Sequence, residues 1–346
     1  MTNITLVPSQ PNRATKKVSL VETFKIETAP VLENGVPKLG ANGKPILKDV
    51  QITAFEEPGI FTPAVNPNYV FPKEELAQLL AAIENREPAY LVGHSGTGKT
   101  ALVNQVAARL NYNVIQINFD GHLSRSDLIG DWRLIGGATV FKHGLVPTAF
   151  LEPGTLVLFD EIDACPPETA FVLQRALSEE LRFLMHETGE LISLHPQNSI
   201  IGTANTHGFG DDSGLYAAGT NIQNFSFLNR WPTVISVDYI PQAAEAQVLK
   251  AMFPTCHAFV GPVTLVLQAV RQGFKVGSIS VPLTTRDGIN WLAKIQRGIL
   301  PMRAARFSFL DKLTPKDAMS IANIIARYFK LDARDDVKYV TSAKPR

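Results

Sequence analysis

The stretch "YLVGHSGTGKTALV", residues 90 to 103, sets three glycines, a lysine and a threonine between two apolar flanks. Gly93 and residues 98–100 fill the pattern GxxxxGK[ST], after an apolar run typical of a strand and before one typical of a helix. Glycines here let backbone N–H groups converge on phosphate oxygens, and the helix presents its N-terminus to the same negative charge. Since residue frequencies give a chance match on the order of 1% in a chain of this length, the stretch predicts a phosphate-binding loop (P-loop).

The side chains of this loop predict a nucleoside triphosphate bound with Mg²⁺. Lys99 would reach the β and γ phosphates, and the Thr100 hydroxyl would complete the shell of the Mg²⁺ ion. The residues expected to contact the nucleotide are Gly93, His94, Ser95, Gly96, Thr97, Gly98, Lys99, Thr100 and Ala101.

A second part of the expected site is "TLVLFDEID", residues 155 to 163. Its apolar run predicts a buried strand that ends at two acids. Asp160 could face Mg²⁺ through water, and Glu161 could accept a proton from an attacking water. Most adjacent acids lie on solvated helices, but the preceding strand and the position about 60 residues after the P-loop favour a functional pair. Asp163 is interpreted as a structural acid or a helix cap.

A third part is "SIIGTANTHG", residues 199 to 208, where an apolar run ends at Asn205. Its amide could orient the water beside the γ phosphate, although an asparagine after a strand is more often a turn residue. The sequence has no NKxD segment of the kind that reads guanine, so adenine is the better prediction. Together the three parts indicate hydrolysis of ATP.

Five short apolar runs alternate with helical segments and read as buried strands: "AYLVG", "NVIQINF", "GTLVLFDE", "SIIGTAN" and "TVISVDY". This alternation predicts a parallel sheet with helices on both faces. Helical periodicity follows in four segments: "AAEAQVLKAMF", "VTLVLQAVRQ", "TRDGINWLAKIQRG" and "PKDAMSIANIIARYF". We predict a proline-rich N-terminal arm with one hairpin (1–70), an α/β ATPase core (71–240), a helical domain (241–330) and a C-terminal tail (331–346).

Composition narrows the classes of partner. The 33 basic and 32 acidic residues nearly cancel, so the composition predicts no general attraction to nucleic acid or to an anionic membrane. Two distant cysteines cannot form a disulfide framework, and the seven histidines show no metal-ligand spacing. Without a long apolar run or a secretory signal, the chain is predicted to be soluble and cytoplasmic.

These motifs resemble those of AAA+ ATPases, and specifically the MoxR branch that contains CobS, the ATPase subunit of aerobic cobaltochelatase. The resemblance covers about two thirds of the chain, from residue 67 to the region of Trp291. Besides the P-loop, the stretches that carry it are "QVAARLNYNVIQINFDGHLSRSDLIGD" (105–131), "FDEIDACPPETAFVLQRAL" (159–177), "TANTHGFGDDSGLYAAGTNIQNFSFLNRW" (203–231) and "PLTTRDGINWLA" (282–293). The resemblance implies a five-stranded α/β core with a helical lid, assembled as a ring, usually of six subunits.

The resemblance also assigns residues that the sequence alone does not. It matches Asn205 with the sensor-1 residue, Arg230 with the arginine finger and Arg286 with the sensor-2 arginine of the lid. It places β-hairpins in residues 120–144 and 181–196, which in such rings face the central pore or the partner, and the alternation of apolar and polar residues there fits hairpins independently.

Three functions stay open at this point. The first is an ATP-driven ring that remodels a partner protein, with cobalt insertion during cobalamin biosynthesis as one setting; the ATPase then acts with a CobT-like partner carrying a von Willebrand-type domain. Because residues 32 to 58 look longer than the corresponding arm, a phage or bacterial MoxR-type chaperone unrelated to cobalamin is an alternative. A nucleic-acid motor and a ring used only as a scaffold are disfavoured, the former by the balanced charge.

Overall fold

The computed structural model describes residues 4–26, 28, 31–33, 36–38, 48–120, 123–210, 215–216 and 219–330. The expected C-terminal tail, residues 331–346, lies outside them. The strands are β1 (Thr5–Leu6), β2 (Thr15–Ser19), β3 (Leu32–Glu33), β4 (Val36–Pro37), β5 (Gln51–Phe55), β6 (Ala89–Val92), β7 (Asn113–Asn118), β8 (Gly130–Ile135), β9 (Ala138–His143), β10 (Thr155–Asp160), β11 (Arg182–Leu184), β12 (Glu190–Ser193), β13 (Ser199–Ala204) and β14 (Thr233–Ser236).

The α-helices are α1 (Leu20–Phe24), α2 (Lys73–Asn85), α3 (Lys99–Leu110), α4 (Arg125–Ile129), α5 (Leu145–Leu151), α6 (Pro167–Ala176), α7 (Phe225–Leu228), α8 (Gln242–Met252), α9 (His257–Lys275), α10 (Thr285–Gln296), α11 (Pro301–Ser308) and α12 (Pro315–Phe329). Short 3₁₀ turns lie at Ile162–Ala164, Pro254–Cys256 and Leu310–Lys312.

The central sheet has five parallel strands in the order β14-β6-β13-β10-β7. They are the five apolar runs identified in the sequence, which confirms the predicted α/β fold with a parallel sheet. Because the strands run in the same direction, their carboxyl ends meet at one edge of the sheet. The P-loop, the two acids at the end of β10 and Asn205 after β13 all lie at that edge.

Apolar side chains cover both faces of the sheet. On β10, Leu156 and Leu158 belong to one buried cluster, which includes residues of α2 and α3, whereas Val157 and Phe159 belong to a second cluster, which includes residues of α5 and α6. Successive side chains of a strand point to opposite faces, so a continuous apolar run supplies both clusters.

The predicted hairpins form at two of the expected places. β8 pairs antiparallel with β9 within residues 120–144, and β11 pairs antiparallel with β12 within residues 181–196. In the N-terminal segment β3 and β4 form a hairpin, as expected, but β2 also pairs antiparallel with β5. This second pairing joins strands more than 30 residues apart, for which the sequence gives no local turn signal.

The C-terminal helices α8 to α12 enclose an apolar cluster of their own, with Trp291, Val263 and Ile321 fully buried. Four of these helices match the predicted segments. The fifth, α11, has no counterpart among them and completes the cluster through Met302, Ala304 and Ala305. Over the described residues, no single helix has both the length and the apolar composition of a membrane span; one helix pair, Gln242–Met252 with Pro254–Lys275, reaches both but is bent by 117°.

Candidate nucleotide-binding site

The P-loop joins β6 to α3 at the carboxyl edge of the sheet. Gly98 precedes α3 with φ 98°, a conformation that glycine adopts without the steric cost that a Cβ would bring. Gly93 is needed for another reason, because a Cβ built there would overlap the backbone oxygen of Val237. Two glycines of the sequence pattern are therefore required by the backbone that surrounds the phosphate site.

Lys99 is the first residue of α3, and only 7% of it is exposed. Its ammonium donates to the backbone oxygens of Gly93 and His94 and, at 3.0 Å, to Oδ1 of Asn205. Burial lowers the pKa of Lys99 to about 8, while nearby carboxylates, Asp163 foremost, oppose that shift. The buried ammonium thus already links the P-loop to the end of β13.

Thr100 and Asp160 meet across the gap between α3 and β10. The Thr100 hydroxyl donates to Oδ1 of Asp160 at 2.9 Å. Asp160 also accepts a hydrogen bond from the Thr203 hydroxyl on β13 and one, at 2.7 Å, from Nε2 of Gln116 on β7. Since β13 and β7 flank β10 in the sheet, the Asp160 carboxylate is held from both sides.

The hydroxyl of Thr100 and the carboxylate of Asp160 fit a magnesium site. Mg²⁺ prefers oxygen ligands, retains several waters and is usually held by one or two protein groups together with substrate phosphates. Within the part of the chain that the structure describes, no group of three or more His, Cys, Asp or Glu could hold a metal ion by itself. An ion at this position would therefore depend on the phosphates and on water for the rest of its shell.

Glu161 follows Asp160 in a left-handed backbone conformation, with φ 55°. Its backbone N–H donates to the Thr203 hydroxyl at 3.2 Å, while the residue itself is exposed at the edge of the sheet. Partial desolvation of the carboxyl, reinforced by the neighbouring charges of Asp160 and Asp163, raises the pKa of Glu161. A raised pKa suits a group that accepts a proton from water.

Asn205 lies directly after β13, beside the P-loop. Its side-chain oxygen accepts from Lys99, and its backbone N–H donates to Oδ2 of Asp163 at 2.9 Å. Asp163 is completely buried. Of the two predicted interpretations, a structural acid or a helix cap, the helix cap does not apply, because Oδ2 of Asp163 accepts from the main chain at the end of β13 and not at the start of a helix.

The outer part of the P-loop is held by residues from distant segments. The Ser95 N–H donates to the Tyr216 hydroxyl at 2.9 Å, and the Ser95 oxygen accepts from the Tyr239 hydroxyl at 3.2 Å. A Cβ built on Gly96 would overlap Thr284, the N-cap of α10. The loop is therefore in contact with the helical region as well as with the sheet.

The remaining loop residues have local contacts. The His94 ring stacks on Tyr216 at 6.3 Å and lies edge-on to Phe274 of α9 at 5.2 Å. Thr97 is buried and donates its hydroxyl to the His94 oxygen at 2.9 Å. Ala101 is exposed in the first turn of α3.

Arg286 is exposed in the first turn of α10, two residues after Thr284. A buried ion pair lies next to the start of this helix. In it, Arg271 of α9 donates to both carboxylate oxygens of Glu245 of α8, at 2.7 and 2.9 Å. Thr285 donates to the same carboxylate at 2.7 Å. These contacts join α8, α9 and α10 at the first turn of α10, which carries Arg286.

Arg230 lies away from the P-loop, at the amino end of the sheet. It follows α7, is exposed, and lines a groove of about 410 Å³ together with Arg86, Glu87 and Pro88, which precede β6. The P-loop instead follows β6, whose four residues span about 13 Å. The structure thus brings Lys99 together with the other predicted site residues of the carboxyl edge but does not bring Arg230 to them.

Two polar contacts of Asp160 were missed in the sequence. Gln116 and Thr203 lie in predicted strands whose other residues are largely apolar. A polar side chain near the carboxyl end of such a strand is a signal that could have identified both. The pair formed by Glu245 and Arg271 joins residues 26 positions apart, on α8 and α9, and has no comparable local signal.

Comparisons with known proteins agree with this geometry. The AAA domain (dynein-related subfamily) matches residues 88–218. CobS, a subunit of aerobic cobaltochelatase from a Sinorhizobium species, is 31% identical over 296 residues, which cover 83% of this chain and 89% of CobS. NorQ of Paracoccus denitrificans is 34% identical over 40% of this chain and 51% of NorQ. Midasin of Dictyostelium discoideum is 26% identical over 83% of this chain, which spans only 5% of midasin.

The match to CobS covers well over two thirds of both proteins. The P-loop fold and the family match together establish nucleotide binding and ATPase activity. The chain therefore belongs to the AAA+ ATPases, in the MoxR-type group to which CobS belongs.

Proposed function

We propose that the chain binds ATP with Mg²⁺ at the P-loop and hydrolyses it at an interface between two copies of itself, within a ring. The observation that supports this most is the separation of two sets of polar groups. Lys99 and Asn205 are hydrogen-bonded to each other at the carboxyl edge of the sheet, whereas Arg230 is exposed at the amino edge.

Within one chain, the phosphates would bind to the P-loop amides and to Lys99. Thr100 and Asp160 would hold Mg²⁺, which supplies positive charge to the β and γ phosphate oxygens. Glu161 would take a proton from the attacking water, because its carboxyl is exposed at this edge and has a raised pKa. Asn205 would orient that water.

Two arginines would complete the site from outside the sheet. Arg286 would approach the γ phosphate from α10, since the N-cap of that helix already packs on Gly96. Arg230 would reach the γ phosphate bound by a neighbouring copy and stabilise the charge that develops in the transition state. A closed ring gives every copy one such neighbour, and we expect six copies.

Mixed rings test the division of the site between copies. Arg230→Ala chains retain the P-loop, and Lys99→Ala chains retain the arginine. At an ATP concentration well below the Kd of the Lys99→Ala chain, each should be nearly inactive alone. Mixing them should recover part of the ATPase activity, because some interfaces then join an intact P-loop to an intact arginine. The matched control mixes two preparations that carry Lys99→Ala and Asp160→Ala, which place both defects at the same edge and should recover none.

The proposal fails if light scattering shows that mixed assemblies form and the first mixture nevertheless stays inactive. It fails equally if the wild-type chain hydrolyses ATP at its full rate as a monomer.

We further propose that ATP hydrolysis remodels a partner protein. Similarity to CobS makes the insertion of cobalt into a corrinoid the first setting to test, with a partner that carries a von Willebrand-type domain. A MoxR-type chaperone outside cobalamin biosynthesis is the alternative, and a nucleic-acid motor is disfavoured by the formal net charge of +1. We expect the protein to act in the cytoplasm. The protein that co-purifies with the Glu161→Gln chain only when ATP is present would identify the setting, whereas stimulation of turnover by DNA would favour the motor.

A further inference from the structure

Asp163 is a fully buried acid for which the proposed hydrolysis provides no role. It lies in the 3₁₀ turn Ile162–Ala164, after the two acids at the end of β10. Its Oδ2 accepts three hydrogen bonds: from the backbone N–H of Asn205 at 2.9 Å, from the backbone N–H of Thr206 at 2.9 Å and from the Thr206 hydroxyl at 3.0 Å. One carboxylate oxygen therefore fixes the main chain where β13 ends.

The backbone oxygen of Asp163 holds another segment. It accepts from the backbone N–H of Asn221 at 2.7 Å and from Nε2 of Gln223 at 3.4 Å. Asn224, the N-cap of α7, follows these two residues, and Arg230 follows α7. The carboxylate of Asp163 thus contacts the segment that carries Asn205, and its backbone oxygen contacts the segment that leads to Arg230.

Burial of a carboxylate costs free energy, because the charged group loses its contact with water. Burial disfavours the charged form and raises the pKa of Asp163, an effect that the bonds from Thr206 and Asn205 oppose. Its second oxygen, Oδ1, is buried without a hydrogen-bond partner among the described residues. If this position served packing alone, an apolar side chain would do so at lower cost. The benefit that remains is the set of three bonds to the main chain and hydroxyl after β13.

We propose that Asp163 is a positioning residue for ATP hydrolysis, which holds the main chain of Asn205 so that its amide stays directed at Lys99 and the γ phosphate. The inference rests on the proposed role of Asn205. Because its carboxylate contacts Asn205 and Thr206, the contribution of Asp163 would pass through Asn205.

A double-mutant cycle tests this dependence. Asn205→Ala should lower kcat by about a hundredfold, within the range for losing one preorganised polar group at a reacting centre. Asp163→Asn keeps an acceptor oxygen but loses the charge that strengthens its bonds, so kcat should fall by about tenfold while the affinity for ATP changes less than about twofold. In the Asn205→Ala background the same change should lower kcat by less than about twofold, because contacting residues that act together are not additive.

The matched control is Asp317→Asn. Asp317 is also buried and accepts from a backbone N–H, that of Ser280 at 3.0 Å, and from a hydroxyl, that of Thr314 at 2.9 Å, but it lies at the start of α12. Its replacement should lower the melting temperature and leave kcat unchanged. If Asp163→Asn does not fold, Thr206→Val removes one of the three donors and should lower kcat a few-fold, again only while Asn205 is present.

Two results would overturn the inference and are distinguishable from each other. If a folded Asp163→Asn chain has normal kcat, or loses the same factor in both backgrounds, Asp163 is structural and the proposed function stands. If Asn205→Ala itself has normal kcat, the proposed role of Asn205 fails, and the inference falls with it.

Discussion

The carboxyl and amino edges of the central sheet carry polar groups in opposite states. At the carboxyl edge Lys99 and Asp160 are at least nine-tenths buried and are held by hydrogen bonds from the loop and from neighbouring strands. At the amino edge Arg230 is exposed beside an open groove that residues 85–88 help to line. Strand β6 connects the two regions, because residues 85–88 precede it and the P-loop follows it.

This difference between the two edges suggests that the carboxyl edge determines the affinity for ATP and the amino edge the rate of hydrolysis. Groups that are buried and already hydrogen-bonded lose little freedom when a ligand arrives, so the carboxyl edge is suited to hold ATP. An exposed arginine loses rotamer freedom on docking and acts only when another molecule supplies its partner. Changes at the carboxyl edge should therefore weaken binding or chemistry in each copy, whereas changes at the amino edge should affect only the rate within assemblies.

The largest effect is expected at the amino edge. Arg230→Ala should lower turnover by about 10³ or more, because an arginine supplied by a neighbour stabilises transition-state charge, while the affinity for ATP stays nearly unchanged. Steady-state kinetics and calorimetric titration measure the two quantities. Arg306→Ala removes another exposed arginine, which pairs with Asp311 on the surface of the helical region, and should change neither. A large loss of ATP affinity in Arg230→Ala would contradict the separation of the two edges.

A smaller loss is expected from the base at the carboxyl edge. Glu161→Gln keeps the size of the side chain but cannot take a proton, so turnover should fall at least about a hundredfold with ATP still bound. Single-turnover measurements isolate this step. Glu74→Gln makes the same change at an exposed position in the first turn of α2 and should leave turnover intact. Near-normal hydrolysis by Glu161→Gln would assign the base to another residue.

Much of the carboxyl edge could be predicted from the sequence because its signals are local. Each signal is contained in a stretch of about ten residues or fewer: the P-loop pattern, the apolar run that ends at two acids, and the apolar run that ends at Asn205. Parallel strands then bring the three together, since the carboxyl ends of such strands share one edge. The three central strands, β6, β13 and β10, were predictable for the same reason, because all of their residues are buried and each reads as a mostly apolar run.

What the sequence did not reveal depends on long-range pairing. Gln116 and Thr203 contact Asp160 only because β7 and β13 both lie next to β10, and no single segment shows that strand order. The pairing of β2 with β5 and the ion pair of Glu245 with Arg271 likewise join segments that are distant in sequence. The proposed roles of Arg230 and Arg286 rest on family resemblance, since an isolated exposed arginine has no chemical signature.

The smallest of the three effects is expected for Lys99→Ala, and it bears on binding. The ammonium is buried and donates to two loop oxygens and to Asn205, so it is held where the β and γ phosphates would lie. Its loss removes charge-assisted hydrogen bonds to phosphate, each worth roughly 1.5–3 kcal/mol, and the affinity for ATP should fall by about 10- to 100-fold. Lys250→Ala, at an exposed position of α8, should leave the affinity unchanged.

The same measurement made with ADP and AMP would sharpen the result. Because Lys99 is expected to contact the β and γ phosphates, its replacement should weaken the binding of ADP less than that of ATP. AMP lacks both phosphates, so its affinity should stay nearly the same. If calorimetric titration gives the Lys99→Ala chain an unchanged affinity for ATP, the carboxyl edge does not bind phosphate through this residue. The carboxyl edge could then no longer be assigned to ATP binding through Lys99, and the contrast with the amino edge would not hold.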